Sequence, residues 1–238
     1  MVLLALVFAP FLAVILPFLA ARRGQTWIAV ATAVAPLIGL GLLLSQTSQV
    51  LAGEVISVQY AWITQLGLNL SFRLDGLSYL FSLLILGIGL LVILYARYYL
   101  SEQERVARFF TCLLLFMGSM LGLVLAGNLL LMLMFWELTS LSSFLLIGFW
   151  SHQTAARQGA RMALAVTGGG GLALLAGILV IGHVVGSYEL TDVLAAGDVL
   201  RAHSLYPVAL VLVLLGVFTK SAQFPFHFWL PHAMSAPT

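Results

Sequence analysis

Seven apolar runs, most of them close to twenty residues long, decide what this chain can fold into; the fifth reads LLLMLMFWELTSLSSFLLIGF, residues 129–149. A hydrocarbon core about 30 Å thick is crossed by roughly 20 residues of helix. Inside it each backbone amide must bond within its own segment, which leaves helices as the structure such runs form. Spans are predicted at 2–21, 27–44, 77–95, 109–126, 129–149, 162–185 and 205–224. With 62% of the 238 residues hydrophobic and 8% charged, little polar sequence is left for a soluble domain. The predicted fold class is therefore an all-α polytopic membrane protein.

The connections carry the orientation. Arg22, Arg23, Arg97, Arg105, Arg108, Arg157 and Arg161 fall on one side of the predicted bundle, and only Arg73 and Arg201 on the other. The arginine-rich side is cytoplasmic by the positive-inside rule, so the amino terminus is expected outside a cell (inner) membrane. The first run has no positive residue before it and Arg22 and Arg23 after it, the reverse of a cleavable signal, so a retained first helix is expected. A formal charge of +2 spread over short loops gives no basic surface for nucleic acid. The single cysteine, Cys112, rules out an intrachain disulfide and a thiolate cluster; no histidines have ligand spacing, and neither metal nor cofactor is expected.

Between the second and third spans, VISVQYAW and LGLNLSFRL alternate apolar and polar residues with period two around a turn near Thr64. They predict a β-hairpin, about residues 54–74, on the outer surface, whose apolar face needs cover because a lone two-stranded ribbon is marginal. The later loop SYELTDVLAAGDVLRAH has leucines at helical spacing and predicts a short interfacial helix. The tract Gly168 to Gly171 reads either as a site of close helix packing or as a flexible joint.

Of eight acids, Glu54, Asp75, Glu102, Glu104, Glu189, Asp192 and Asp198 fall in loops or at helix edges, and only Glu137 lies inside a span. At ~1.5 Å per residue it is about 12 Å deep. A charge there costs on the order of 3 kcal/mol, so such residues mark function by default. Lys220, the only lysine, ends the apolar run VALVLVLLGVF, and Pro225, Pro231 and Pro237 follow. A proline lacks the amide donor and clashes one turn back, so the seventh helix is expected to break just past Lys220 and free carbonyls at that depth.

Two readings stand for each of these groups. Glu137 and Lys220 form an ion-translocating pair in a wet interior, or Glu137 locks helices through a hydrogen-bonded carboxyl, helped by Thr139, Ser140, Ser142 and Ser143, while Lys220 snorkels to the interface. His227, seven residues past Lys220, suits a proton relay or a packed loop. Ser140 and Asp75 are accessory candidates.

The stretches MFWELTSLSSFLLIGFW (134–150), TKSAQFPFHFWLPHAMSAPT (219–238), FRLDGLS (72–78) and GARMALAVTGGGGLALLAG (159–177) resemble the antiporter-like membrane proteins, specifically the large A subunit of Mrp multi-subunit cation/proton antiporters. That resemblance implies that Glu137 and Lys220 match the pair regarded as central to proton movement, and that His227 matches a histidine of the same broken-helix motif. Family members continue through further helices with a second inverted half, so the chain reads as the front part of a longer protein: three helices with the hairpin over 1–108, then a first, incomplete antiporter-like repeat over 109–238. The resemblance extends to proton-pumping subunits of complex I and of membrane-bound hydrogenases, with QFPFHFWLP favouring Mrp.

The expected function is thus a proton-translocating subunit of a sodium or other monovalent cation/proton antiporter, not an enzyme, with the other membrane subunits of that complex, protons, Na+ and lipid as partners. The alternatives are a complex I-like pump and a structural membrane scaffold.

Overall fold

A computed structural model of the protein describes residues 1–101, 104–234, 236 and 237; the loop position expected for Glu102 lies outside them. The elements are α1 (Val2–Leu12), α2 (Leu16–Ala20), α3 (Gln25–Leu44), α4 (Thr47–Leu51), β1 (Ile56–Ile63), β2 (Leu68–Leu74), α5 (Gly76–Tyr99), α6 (Val106–Leu125), α7 (Leu129–Ile147), α8 (Thr154–Val185), α9 (Leu190–Ala195), α10 (Gly197–Ala202), α11 (Tyr206–Lys220) and α12 (Trp229–Ala233). Among the described residues six helical stretches are long and apolar enough to cross a membrane, and α11 is a shorter apolar helix of 15 residues. The chain forms two compact units, one of Met1–Val58 with Phe72–Leu125 and one of Gln59–Ser71 with Ala126–Thr238.

In the first unit the opening span runs as one interrupted helix from Val2 to Arg23. Pro17 cannot donate to the carbonyl of Ala13, and the turn Ala13–Ile15 tightens to 3-10 geometry there. Gly24, at φ 94°, ends the span in backbone that an L side chain rarely adopts. In α5, Leu77, Leu80, Phe81, Leu84, Ile88, Leu91 and Leu94 are exposed, whereas Ser78, Ser82, Leu86, Gly89, Ile93 and Ala96 are buried. Large apolar side chains outside and small or polar ones inside are the inverse of a soluble helix, and suit a helix whose outer solvent is lipid. The unit's core holds Leu6, Leu43, Phe72, Leu74, Leu86, Phe110 and Leu114 fully buried, with Phe8 edge-on to Phe72 at 6.2 Å.

The hairpin is a two-stranded sheet of β1 and β2, turned by a 3-10 segment at Thr64–Leu66 and by Gly67 at φ 67°. Leu68, Phe72 and Leu74 find the cover that an apolar face needs, while Tyr60 and Trp62 stay exposed.

The second unit is organised around α8, which packs against α7, α11 and α12. This helix begins at Thr154, earlier than the expected residue 162. The preceding sequence TAARQGAR contains good helix formers, and with 32 residues at ~1.5 Å each the helix is about 48 Å long, well beyond a ~30 Å core. Leu129 and Leu133 of α7 meet Leu174 and Ile178 of α8 in one buried cluster, joined by Val213 of α11. The loop after α8 forms α9 and α10, two short helices where one was expected.

The seventh helix stops at Lys220, before the expected residue 224. Ala222 takes a positive φ of 52°, and Pro225 blocks continuation; a 3-10 turn at Phe226–Phe228 then leads into α12.

Candidate functional site

The site is built where α7, α8 and α11 come closest, and glycines set that distance. A methyl group on Gly170 would collide with Thr219 Oγ1, and one on Gly171 with Glu137 Oε1. From the other side, a Cβ on Gly216 would fall 2.7 Å from the Leu174 side chain and 2.9 Å from Gly170 O. The glycine tract therefore serves close packing at two of its four positions, and α8 runs through it as continuous helix; a Cβ at Gly168 or Gly169 would meet nothing within 4 Å.

The Lys220 side chain crosses to α7. Its ammonium donates to Ser140 Oγ at 2.6 Å, Thr139 Oγ1 at 2.7 Å and Trp136 O at 3.2 Å, and lies 5.2 Å from the centre of the Trp136 ring. An ammonium has three donors, and all three are met. Both hydroxyls also donate to Trp136 O, at 2.7 Å from Thr139 and 3.3 Å from Ser140, which leaves their lone pairs to Lys220. Thr139 is 1% and Ser140 2% exposed.

Glu137 is on the same stretch of α7. No ion pair joins it to Lys220 among the described residues, and its Oε1 is buried without a hydrogen-bond partner, as is Trp136 Nε1. An unpartnered buried carboxyl oxygen is costly, and here it packs against the bare backbone of Gly171. Ser142 and Ser143 do not serve it; their hydroxyls bond back to α7 carbonyls.

The break after Lys220 is closed by protein. Trp229 Nε1 donates to Thr219 O at 2.9 Å, Ser221 N to Val217 O at 2.9 Å and Gln223 N to Phe218 O at 2.9 Å, so these carbonyls, expected to be freed, are capped. His227 is exposed, with its ring stacked on Phe224 at 5.8 Å. Asp75 belongs to the first unit and caps α5: its carboxylate accepts from Ser78 N at 3.0 Å and from Arg73 Nε at 3.3 Å. Partial burial pushes the Asp75 carboxyl upward, but the Ser78 amide and hydroxyl and the Arg73 guanidinium outweigh it and hold the group below 3.8.

At the amino end of α7 lies a network that sequence reasoning missed. Asn128, 1% exposed, caps the helix by accepting from Leu130 N and Leu131 N at 3.0 and 3.2 Å. Its amide donates to Gly67 O at 2.9 Å and to Glu189 Oε1 at 2.8 Å, and Asn69 Nδ2 donates to the same carboxylate oxygen at 2.9 Å. Asn immediately before an apolar run is a readable N-cap signal. The bonds to Gly67 and Glu189 have no sequence signature.

Apolar helices with inverted burial, a broken short helix and a lone lysine bonded inside the second unit define a multi-pass membrane protein of transporter type. Known proteins with similar sequences agree. A family model described as "NADH:quinone oxidoreductase/Mrp antiporter, TM" matches residues 126–238, and one described as "NADH-Ubiquinone oxidoreductase (complex I), chain 5 N-terminus" matches residues 62–110. The probable K(+)/H(+) antiporter A/B protein of Rhizobium meliloti is 62% identical over 189 residues, 79% of this chain and 19% of that protein. The large A component of the Na(+)/H(+) antiporter of Alkalihalophilus pseudofirmus is 44% identical over 235 residues, 97% of this chain and 29% of its own. The solved Mrp complex from Dietzia sp. DQ12-45-1b contains a chain that superposes with a TM-score of 0.86 at 34% identity, over 99% of this chain and 25% of that one. The chain belongs to the antiporter-like family that joins the large Mrp antiporter proteins to complex I membrane proteins. It spans between 19% and 29% of the length of these two curated relatives.

Proposed function

We propose that the chain acts within a multi-subunit monovalent cation/proton antiporter, and that Glu137 and Lys220 are its switchable charge pair. The observation that carries this reading is the position of Lys220: a lone ammonium, held on α7 beside a buried carboxyl that it does not pair with. Approach of the two charges favours a protonated lysine, and separation favours release of its proton. His227 and Ser140 extend the proton path in this proposal, and Asp75 has a capping role. The membrane is the cell membrane with the amino terminus outside, and the partners are the other membrane subunits. The relatives' names, one with K+ and one with Na+, support a monovalent cation as the second substrate.

The test is Lys220→Ala in the complete antiporter, assayed as cation-dependent proton efflux in inverted vesicles. Exchange is abolished while the complex still assembles on native gels. Retained exchange refutes the role, and loss of assembly together with transport favours a structural scaffold.

A further inference from the structure

We infer that Lys220 has a seat of its own on α7, made by Trp136 and Thr139 as positioning residues together with the Ser140 hydroxyl, which holds the charged amine while it is away from Glu137. The inference rests on the Glu137/Lys220 reading above and adds to it the group that must replace the carboxylate.

A lysine that toggles between two states needs a stable place in each, because a charged ammonium left unbonded in a low-dielectric interior is costly. Here that place is formed from neutral groups. Two hydroxyls and a carbonyl accept the three N–H bonds, and the Trp136 ring lies within cation–π range at 5.2 Å. The hydroxyls are oriented by donating to Trp136 O, so their acceptor sides face the amine before it arrives.

The seat is tight as well as polar. Gly170 lets α8 approach Thr219, the residue next to Lys220, and a side chain on Gly170 would push α11 away from α7. Neutral acceptors bind an ammonium less strongly than a carboxylate does, so they hold the lysine without competing permanently with Glu137. Glu137 of α7 is the titratable group whose charge acts on Lys220. The ionisable residues of α8 are Arg157, Arg161 and His183, and Arg161, nine residues before Gly170, is about 13 Å along the helix axis. Asp198 and Arg201 of α10 pair with each other at 3.0 Å before α11 begins, and beyond its end His227 stacks on Phe224 and His232 lies in α12.

The test is made in the complete complex in vesicles, with Lys220→Ala run alongside. Thr139→Val keeps shape and removes the hydroxyl; cation/proton exchange is expected to fall about tenfold, the size of one lost bond to a charged group, with its pH profile displaced. Thr139→Ser restores both. Wild-type rate and profile in Thr139→Val, or a Thr139→Ser as impaired as the valine, overturns the seat. If Thr139→Val does not assemble, Trp136→Phe and Trp136→Leu decide: the phenylalanine, which keeps a ring face, stays closer to the wild-type profile, and equal profiles for the two overturn the inference. Exchange that survives Lys220→Ala refutes the charge pair itself, whereas a dead lysine variant beside a normal Thr139→Val refutes the seat alone.

Discussion

Lys220 Nζ stands 2.6 Å from Ser140 Oγ, three residues along α7 from Glu137, so the ammonium is bound to the helix of its expected partner and not to the partner's carboxylate. The arrangement separates what holds the lysine from what switches it. Neutral acceptors give a holding site, and a charged group near that site supplies the bias.

Glu137→Gln keeps the shape of the side chain and removes its charge. Proton-coupled cation exchange in vesicles should fall by about tenfold or more with a changed pH profile, since one lost charge interaction of ~1.4 kcal/mol is tenfold. An unchanged profile would count against the pair.

Gly171→Ala tests the packing that confines Glu137. The added methyl collides with Glu137 Oε1, whereas a methyl on Gly168 or Gly169 meets nothing within 4 Å. Exchange should drop in Gly171→Ala and persist in Gly168→Ala, which should be stabilised by about 0.5–1 kcal/mol because alanine favours helix. Equal exchange in the two variants would show that the carboxyl is free to move aside.

Asn128→Ala removes the cap of α7 and both amide bonds to Gly67 and Glu189. A cost of about 2 kcal/mol or more is expected, combining a lost cap with unpartnered buried groups. Thermal unfolding of the detergent-solubilised complex reads it as a lower midpoint. Asn128→Asp keeps the acceptors but sets a carboxylate beside Glu189, and should also be destabilised.

Asp75→Ala should cost about 1 kcal/mol at neutral pH through loss of the α5 cap. The carboxyl is held below 3.8 in the fold, so its contribution is present above that value and disappears as pH falls through the lower folded value. Stability of wild type and variant should converge in acid; a gap that widens below about pH 4, as shown by proteolysis of the solubilised protein, contradicts the capping role.

Much of this architecture was legible in one dimension. Span number follows from the length of apolar runs because a bilayer has fixed thickness and tolerates no unbonded backbone. The break near Lys220 follows from Pro225, which lacks a donor wherever it sits. The isolation of Glu137 and Lys220 within apolar runs is a fact of composition, and it singled out both residues before any contact was known.

The tertiary structure alone decided what those residues touch. Successive helical residues point about 100° apart, and which sector of α7 meets α11 depends on how closely α8 lets them pack. That distance is set by Gly170, Gly171 and Gly216, glycines whose tract read equally as a joint. It gave Lys220 the acceptors of Trp136, Thr139 and Ser140 in place of the carboxylate, and bonded Asn128 to Gly67 and Glu189, residues 61 positions away on either side. The order of residues determines which side chains need partners; packing across helices chooses the partners, because hydrogen bonds form over about 3 Å and not over a helical repeat.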